Sequence, residues 1–315
     1  MGRFRDSAEF APTIDAAAGQ LGISPAAVEK DYWVSEALRA LVNDHGRDFF
    51  FKGGTSLSKA YRIIERFSED IDVLVIPGQR SKGATHALMK TMGEAAGAAL
   101  GSRPRPTAQS QTGIHKSFWF SYPAARGSDP GVGSEILLEM GIRGGPQPSE
   151  WLTVGCLLGD LLRGAGTSLS AFSDLKPFDV AVLHPGRTLL EKLGLLHSRL
   201  GSNPSESAAR KHARHYYDIY QLLGDDHTLA LLRDRTEVEQ IIRNIDEVSE
   251  SYFGGGELRP IGGWARSPAF DPDGASSRLL RAAYDATMAD LYFGPGDPPA
   301  FREICLRVAE VSQLL

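Results

Sequence analysis

FKGGTSLSKAYRIIERFSEDIDVLV, residues 51–75, is the stretch whose reading decides the fold. Its first residues close a short strand candidate, DFFFK (48–52), bounded by Gly46 before it and by Gly53 and Gly54 after it. Thr55 or Ser56 is placed to cap a helix that the pattern carries to about Arg66. DIDVLVI (70–76) then alternates like a half-buried strand, and Pro77-Gly78 ends it. Alternation puts Asp70 and Asp72 on one face and Ile71, Val73 and Val75 on the other. Two carboxylates so placed suit Mg2+ or Mn2+ over a triphosphate, where metal neutralises phosphate charge and orients an in-line attack. Gly53 and Gly54 carry no Cβ, so the backbone approaches a phosphate closely. The helix start behind them offers N–H groups. Thr55, Ser56, Ser58 and Lys59 add further donors to a nucleotide site. A lone Asp-x-Asp or a lone Gly-Gly says little, and the two in order between strands say much more. The expected chemistry is metal-dependent nucleotidyl transfer from an NTP.

Working outward, SEILLEM (134–140) is a strand with Glu135 and Glu139 on one face. Glu139 sits at the strand end and is the preferred third carboxylate, with Glu135 the alternative. KSFWFSY (116–122) pairs with it as a hairpin, and Trp119 is expected in the core. Ser24-Pro25 starts a helix to about Val42, and Lys82–Leu100 is an Ala-rich helix. Residues 146–185 are mixed. From Arg187 onward helices dominate, so the expected class is α+β, with a mixed-sheet lobe over 1–183 and a helical lobe over 184–315. In that second lobe Lys192 flanks an apolar stripe of Leu189, Leu193, Leu196 and Leu200. A solvated lysine and a triphosphate contact both fit it. Asp218 lies four residues after Arg214, the spacing of an ordinary helical ion pair. His212 and His215 stand among Arg210, Lys211 and Arg214, which disfavours a metal pair there.

Ser68 is two residues before Asp70, so an extended chain puts it on the carboxylates' face. A phosphate on it would add about −1.5 to −2 charges beside the metal. Ser68 is therefore a regulatory phosphosite candidate, against the plainer reading of a loop hydrogen bond.

The 315 residues carry a net charge of −5 and 42% hydrophobic side chains, enough for a sizeable core. Coating of nucleic acid by bulk charge is excluded, and RNA contacts have to be local, at Arg103, Arg105 and Lys116 or at Arg210, Lys211 and Arg214. Cys156 and Cys305 form no disulfide framework. The N-terminus lacks a secretory core and no apolar run reaches spanning length, so a cytoplasmic chain without membrane contact is expected.

Over residues 28–310 the chain resembles the AbiEii/MenT-type nucleotidyltransferase toxins of abortive-infection and toxin–antitoxin systems. VEKDYWVSEAL (28–38), FKGGTSLSKAY (51–61), RFSEDIDVLV (66–75), LLEKLGLLH (189–197) and RHYYDIYQLL (214–223) carry the likeness, which fades through GWARSPAF (263–270). The resemblance implies a polymerase-β-like fold with an added helical lobe. It matches Lys192 and Asp218 to the family's third and fourth motifs. It also implies a toxin that moves NMP from an NTP to RNA, at the 3′ end of tRNA, blocking translation, with a separately encoded antitoxin. Transfer to a protein hydroxyl or a small molecule is the alternative, as is a non-catalytic nucleotide-binding regulator.

Overall fold

The computed structural model describes residues 2–315 apart from 69, 109, 127–128, 130–131, 143, 146 and 254–258. The chain divides into two compact units. One comprises Met1–Tyr61 with Phe67–Val182, the other Arg62–Arg66 with Leu183–Leu315.

The first unit opens with helices α1 (Phe10–Leu21) and α2 (Pro25–His45). Ser24 caps α2 by accepting from the Ala27 N–H, and Pro25 sits in its first turn, where a missing N–H costs nothing. Then follow β1 (Phe49–Lys52), α3 (Gly53–Lys59), β2 (Ile71–Val75), α4 (Lys82–Leu100), β3 (Arg105–Pro106), β4 (His115–Ser121), β5 (Glu135–Gly141), β6 (Ser149–Val154), α5 (Leu157–Gly164) and β7 (Phe178–Leu183). Among the described residues these strands form one mixed sheet in the order β3-β4-β5-β2-β1-β7-β6. β1 runs antiparallel to β2 and parallel to β7, and β2 runs parallel to β5.

One face of the sheet makes the core. Phe49, Phe51, Ile71, Val73, Val75, Phe118, Phe120, Ile136, Leu138 and Met140 are buried there with α2 and α4 residues such as Leu38, Met89 and Met92. Burying each large apolar side chain stabilises the unit by about 1.5–3 kcal/mol. That loss of freedom on one face fixes the register, because a one-residue slip would turn Asp72 inward and Val73 outward.

The second unit is helical: α6 (Pro185–Leu200), α7 (Glu206–His212), α8 (Arg214–Leu222), α9 (Asp226–Arg233), α10 (Arg235–Phe253), α11 (Ser277–Leu291) and α12 (Phe301–Glu310). The α6 stripe of Leu189, Leu193, Leu196 and Leu200 is fully buried. Tyr216 of α8 centres the core, with its ring 5.0 Å from Phe301 and 5.7 Å from Phe270 and its hydroxyl donating to the Ala269 carbonyl.

The mixed-sheet lobe and the helical lobe expected from the sequence are both present. Three local readings change. α3 stops at Lys59 instead of reaching Arg66. Arg62 takes a left-handed backbone, φ 58°, and residues 62–66 join the second unit. The pull is Arg66, whose guanidinium is buried on Asp218. Second, the stretch after Pro146 contains β6 and β7, strands that the sequence left unassigned. Third, Trp119 is not a core residue. It is 37% exposed, on the face of β4 opposite Phe118 and Phe120.

Candidate active site

A polar row crosses the other face of the sheet. Register pairs Lys52 with Asp72, Asp72 with Glu139, and Glu139 with Ser117. Side chains of register partners lie on the same face, so four adjacent strands bring Lys52, Asp72, Glu139 and Ser117 side by side. Ser117 Oγ lies 3.2 Å from His115 Nε2 on the same strand face. Asp70 stands just before β2, and its carbonyl accepts from the Thr55 hydroxyl.

Gly53 adopts φ 79°, and a Cβ there would fall 2.2 Å from Asp72 Oδ2. The Asp72 carboxylate occupies the space that any larger residue would need. This packing, and the left-handed backbone, explain the first glycine of the pair. Asp70, Asp72 and Glu139 are hard oxygen donors of the kind Mg2+ and Mn2+ take, so the residue set fits a divalent cation. Glu135, the alternative third carboxylate, is ion-paired with Arg105.

The other donors expected around a nucleotide are placed differently. Thr55 and Ser56 are fully buried. Ser56 Oγ donates to the Gly53 carbonyl at 2.9 Å and Ser58 Oγ to the Thr55 carbonyl at 3.1 Å, so both hydroxyls brace the turn. Lys59 is paired with Asp31 and donates to Ser35 Oγ at 2.8 Å, which ties α3 to α2. Ser68 Oγ lies 3.0 Å from Thr55 Oγ1, an arrangement of the hydrogen-bonding kind. Lys116 points to the core side of β4, its ammonium 5.2 Å from the Phe118 ring centre.

In the second unit a buried charge cluster gathers on Asp218. Arg66 holds it through two bonds, Nε to Oδ1 at 2.6 Å and a terminal nitrogen to Oδ2 at 2.7 Å. Lys192 Nζ lies 2.8 Å from Oδ2 and 3.0 Å from His215 Nδ1. Arg66 is 1% exposed, Asp218 0% and Lys192 6%. Burial alone would raise the Asp218 pKa, but Arg66 and Lys192 outweigh it and hold the carboxyl well below its ordinary range. Burial lowers the pKa of Lys192, and Asp218 opposes that shift. Burial, and next Lys192, push His215 down to about 3, so the imidazole is neutral and accepts from the ammonium. Two cations, Arg66 and Lys192, thus share the Asp218 carboxylate. Arg66 carries no periodic signal, and in the sequence Asp218 has a nearer helical partner in Arg214. Two tethered cations on one buried carboxylate become visible only once the helices pack.

The histidines of this unit set a pH response. Burial is the largest cause for each. His215 falls to about 3, while His212 and His184 each fall to about 4. Between about pH 6.5 and those values the unfolded chain binds protons that the folded chain refuses, so stability drops as pH falls. Denaturant titrations from pH 7 to 4.5 are expected to show a loss approaching about 1.4 kcal/mol per pH unit from His215, with smaller, solvent-screened losses from His184 and His212. His215→Gln is expected to remove one proton's worth of that slope. A flat profile in the wild-type chain would contradict the neutral, ammonium-bonded state of His215.

No curated protein matches the chain. A solved structure of MenT4, a nucleotidyltransferase toxin from Mycobacterium tuberculosis H37Rv, is similar at 15% identity and a TM-score of 0.39, covering 87% of this chain and 98% of that one. Residues 36–306 match the family described as nucleotidyl transferase AbiEii toxin, type IV toxin–antitoxin system. That match spans both the Asp70–Asp72 strand and the Lys192–Asp218 helices, and the chain belongs to the AbiEii nucleotidyltransferase toxin family.

Proposed function

We propose that this toxin transfers a nucleotide from an NTP to the 3′ hydroxyl of an RNA, the acceptor end of tRNA, and thereby blocks aminoacylation and translation in the cytoplasm until a separately encoded antitoxin restrains it. The observation that carries the proposal is the register of Asp72 with Glu139, with Gly53 packed on the Asp72 carboxylate. Asp70, Asp72 and Glu139 are the residues that would hold Mg2+ or Mn2+, which when bound would neutralise triphosphate charge and acidify the attacking hydroxyl. Glu139 is also the carboxylate proposed to take the hydroxyl proton.

Lys192 is the proposed triphosphate contact. The residue is only 6% exposed and its ammonium is held by two side-chain contacts, so it is a preorganised charge of the kind that serves a reacting phosphate. Two N–H groups of the ammonium reach Asp218 and His215, and an ammonium has a third to offer. Asp218 keeps Lys192 charged and in place, and Arg66 keeps Asp218 in place. RNA is favoured as acceptor because an acidic chain that nevertheless gathers Arg210, Lys211 and Arg214 within five residues favours phosphate locally.

The test is incubation of the purified protein with each labelled NTP, Mg2+ and total RNA. Label on tRNA, lost when the 3′ end is blocked, is the expected result. Label on a protein or a metabolite would move the acceptor to that class. No label with any NTP would end the transferase reading.

A further inference from the structure

The polar row of the sheet continues into an aromatic surface. Trp119 follows Ser117 by two residues on β4, so both point to the same face. Register pairs Trp119 with Leu137 on one side and with Arg105 on the other. Glu139, diagonal to Trp119, is about 7–8 Å away between Cα atoms. That span is covered by about two stacked nucleotides at about 3.4 Å each. Phe118 and Phe120, on the opposite face, do the packing for β4, at 4% and 0% exposure. The sheet has thus turned a large indole outward at 37% exposure, on a rigid strand, one diagonal step from the candidate acid. Its neighbours are an aliphatic side chain and a guanidinium held in an ion pair with Glu135. An apolar ring face with a cation beside it complements a nucleobase with its phosphate.

We propose that Trp119 is a stacking platform for an unpaired base near the 3′ end of the acceptor RNA, with Leu137 as its floor and Arg105 toward the backbone. This rests on the RNA reading above and adds the residue that positions the acceptor strand. Stacking on an indole tolerates every base, so the platform sets reach and orientation and leaves base identity to other contacts.

Intrinsic fluorescence tests it in the full-length protein. Of the four tryptophans, Trp33 and Trp264 are 3% exposed, and Trp151, on β6 at the other edge of the sheet, is 63% exposed. Titration with a single-stranded ribo-oligonucleotide is expected to quench the wild-type signal. An abasic oligonucleotide of equal length is expected not to. Trp119→Phe should lose the quench while keeping most of the affinity, and Trp151→Phe should keep the quench. Trp119→Ala should bind about tenfold more weakly. Its unfolding midpoint should match wild type, since the ring lies on the outer face. Asp72→Ala should still be quenched, because stacking does not need the acidic row. Equal affinity in Trp119→Ala, equal quenching by the abasic strand, or the same quench from NTP alone would each overturn the platform while leaving transfer to RNA standing. A wild-type protein that binds no oligonucleotide would overturn both.

Discussion

Asp72→Ala is expected to abolish nucleotide transfer, by about 10³-fold or more, while the protein stays folded. The side chain sits in the middle of the polar row, against Gly53 on one side and in register with Glu139 on the other. Losing one of two or three ligands to a divalent cation removes several kcal/mol of charge stabilisation where it is needed, and each 1.4 kcal/mol is tenfold in rate. Stability should change little. Asp72 and Glu139 are like charges in register on adjacent strands, and Lys52, in register with Asp72, offsets their repulsion in the metal-free protein. Thermal unfolding in the presence of EDTA is therefore expected to show an unchanged midpoint. Labelled-NTP transfer should fall to background, and expression in bacteria should cease to be toxic. Full activity in Asp72→Ala would sink the metal-site assignment; a collapsed midpoint would mean that the row is structural.

Replacing Asp218 should cost the second unit as much stability as removing one of its large core side chains. Asp218→Ala takes away the carboxylate that the buried Arg66 and Lys192 share. Breaking a buried ion pair from one side typically costs about 3–5 kcal/mol. For a unit of this size, that corresponds to a midpoint lower by about 10 °C or more. Lys192→Met is the informative contrast. It leaves Arg66 and Asp218 as a neutral pair bonded through two contacts, so stability is expected to hold within about 1 kcal/mol. Transfer should nevertheless fall by about 10²–10³-fold, the scale of losing one preorganised charge at a reacting phosphate. Should Lys192→Met unfold the protein while retaining transfer per folded molecule, the lysine would be structural and the triphosphate role would pass elsewhere.

The strand that carries Asp72 was legible because its information is local. Alternation and the glycine pair ahead of it place Asp72 on the face opposite Ile71 and Val73, while Asp70 lies just before the strand. The Gly53 requirement was legible as a close approach, although the group approaching in the structure is the Asp72 carboxylate. The N-cap of α2 and the buried leucines of α6 were read from position and period alone. What was not legible depends on partners distant in sequence. Arg66 reads as a helix end until Asp218, 152 residues away, takes its guanidinium. Lys59 reads as a phosphate donor until Asp31 of α2 is brought to it. Trp119 was expected inside because tryptophan usually is, and only the assembled sheet shows which face of β4 already had a core to fill. β6 and β7 are bounded by turn residues, Pro148 before β6 and Pro177 and Pro185-Gly186 around β7, but neither alternates cleanly enough to stand out from the mixed stretch around them.

The excursion of residues 62–66 into the second unit bears on how this chain comes into being and on how it can be cut. A ribosome delivers Arg66 long before it delivers Asp218. Until then the guanidinium has no carboxylate, and the helical unit lacks one of the pieces it buries. The same interleaving means that a fragment beginning at Leu183 is not that unit, and one ending at Val182 leaves five residues of loop with nowhere to go. A toxin wired this way has no separable half. Neither early termination nor a single proteolytic cut near Leu183 releases a finished helical unit, and a nascent chain leaves Arg66 without its carboxylate until Asp218 has been made.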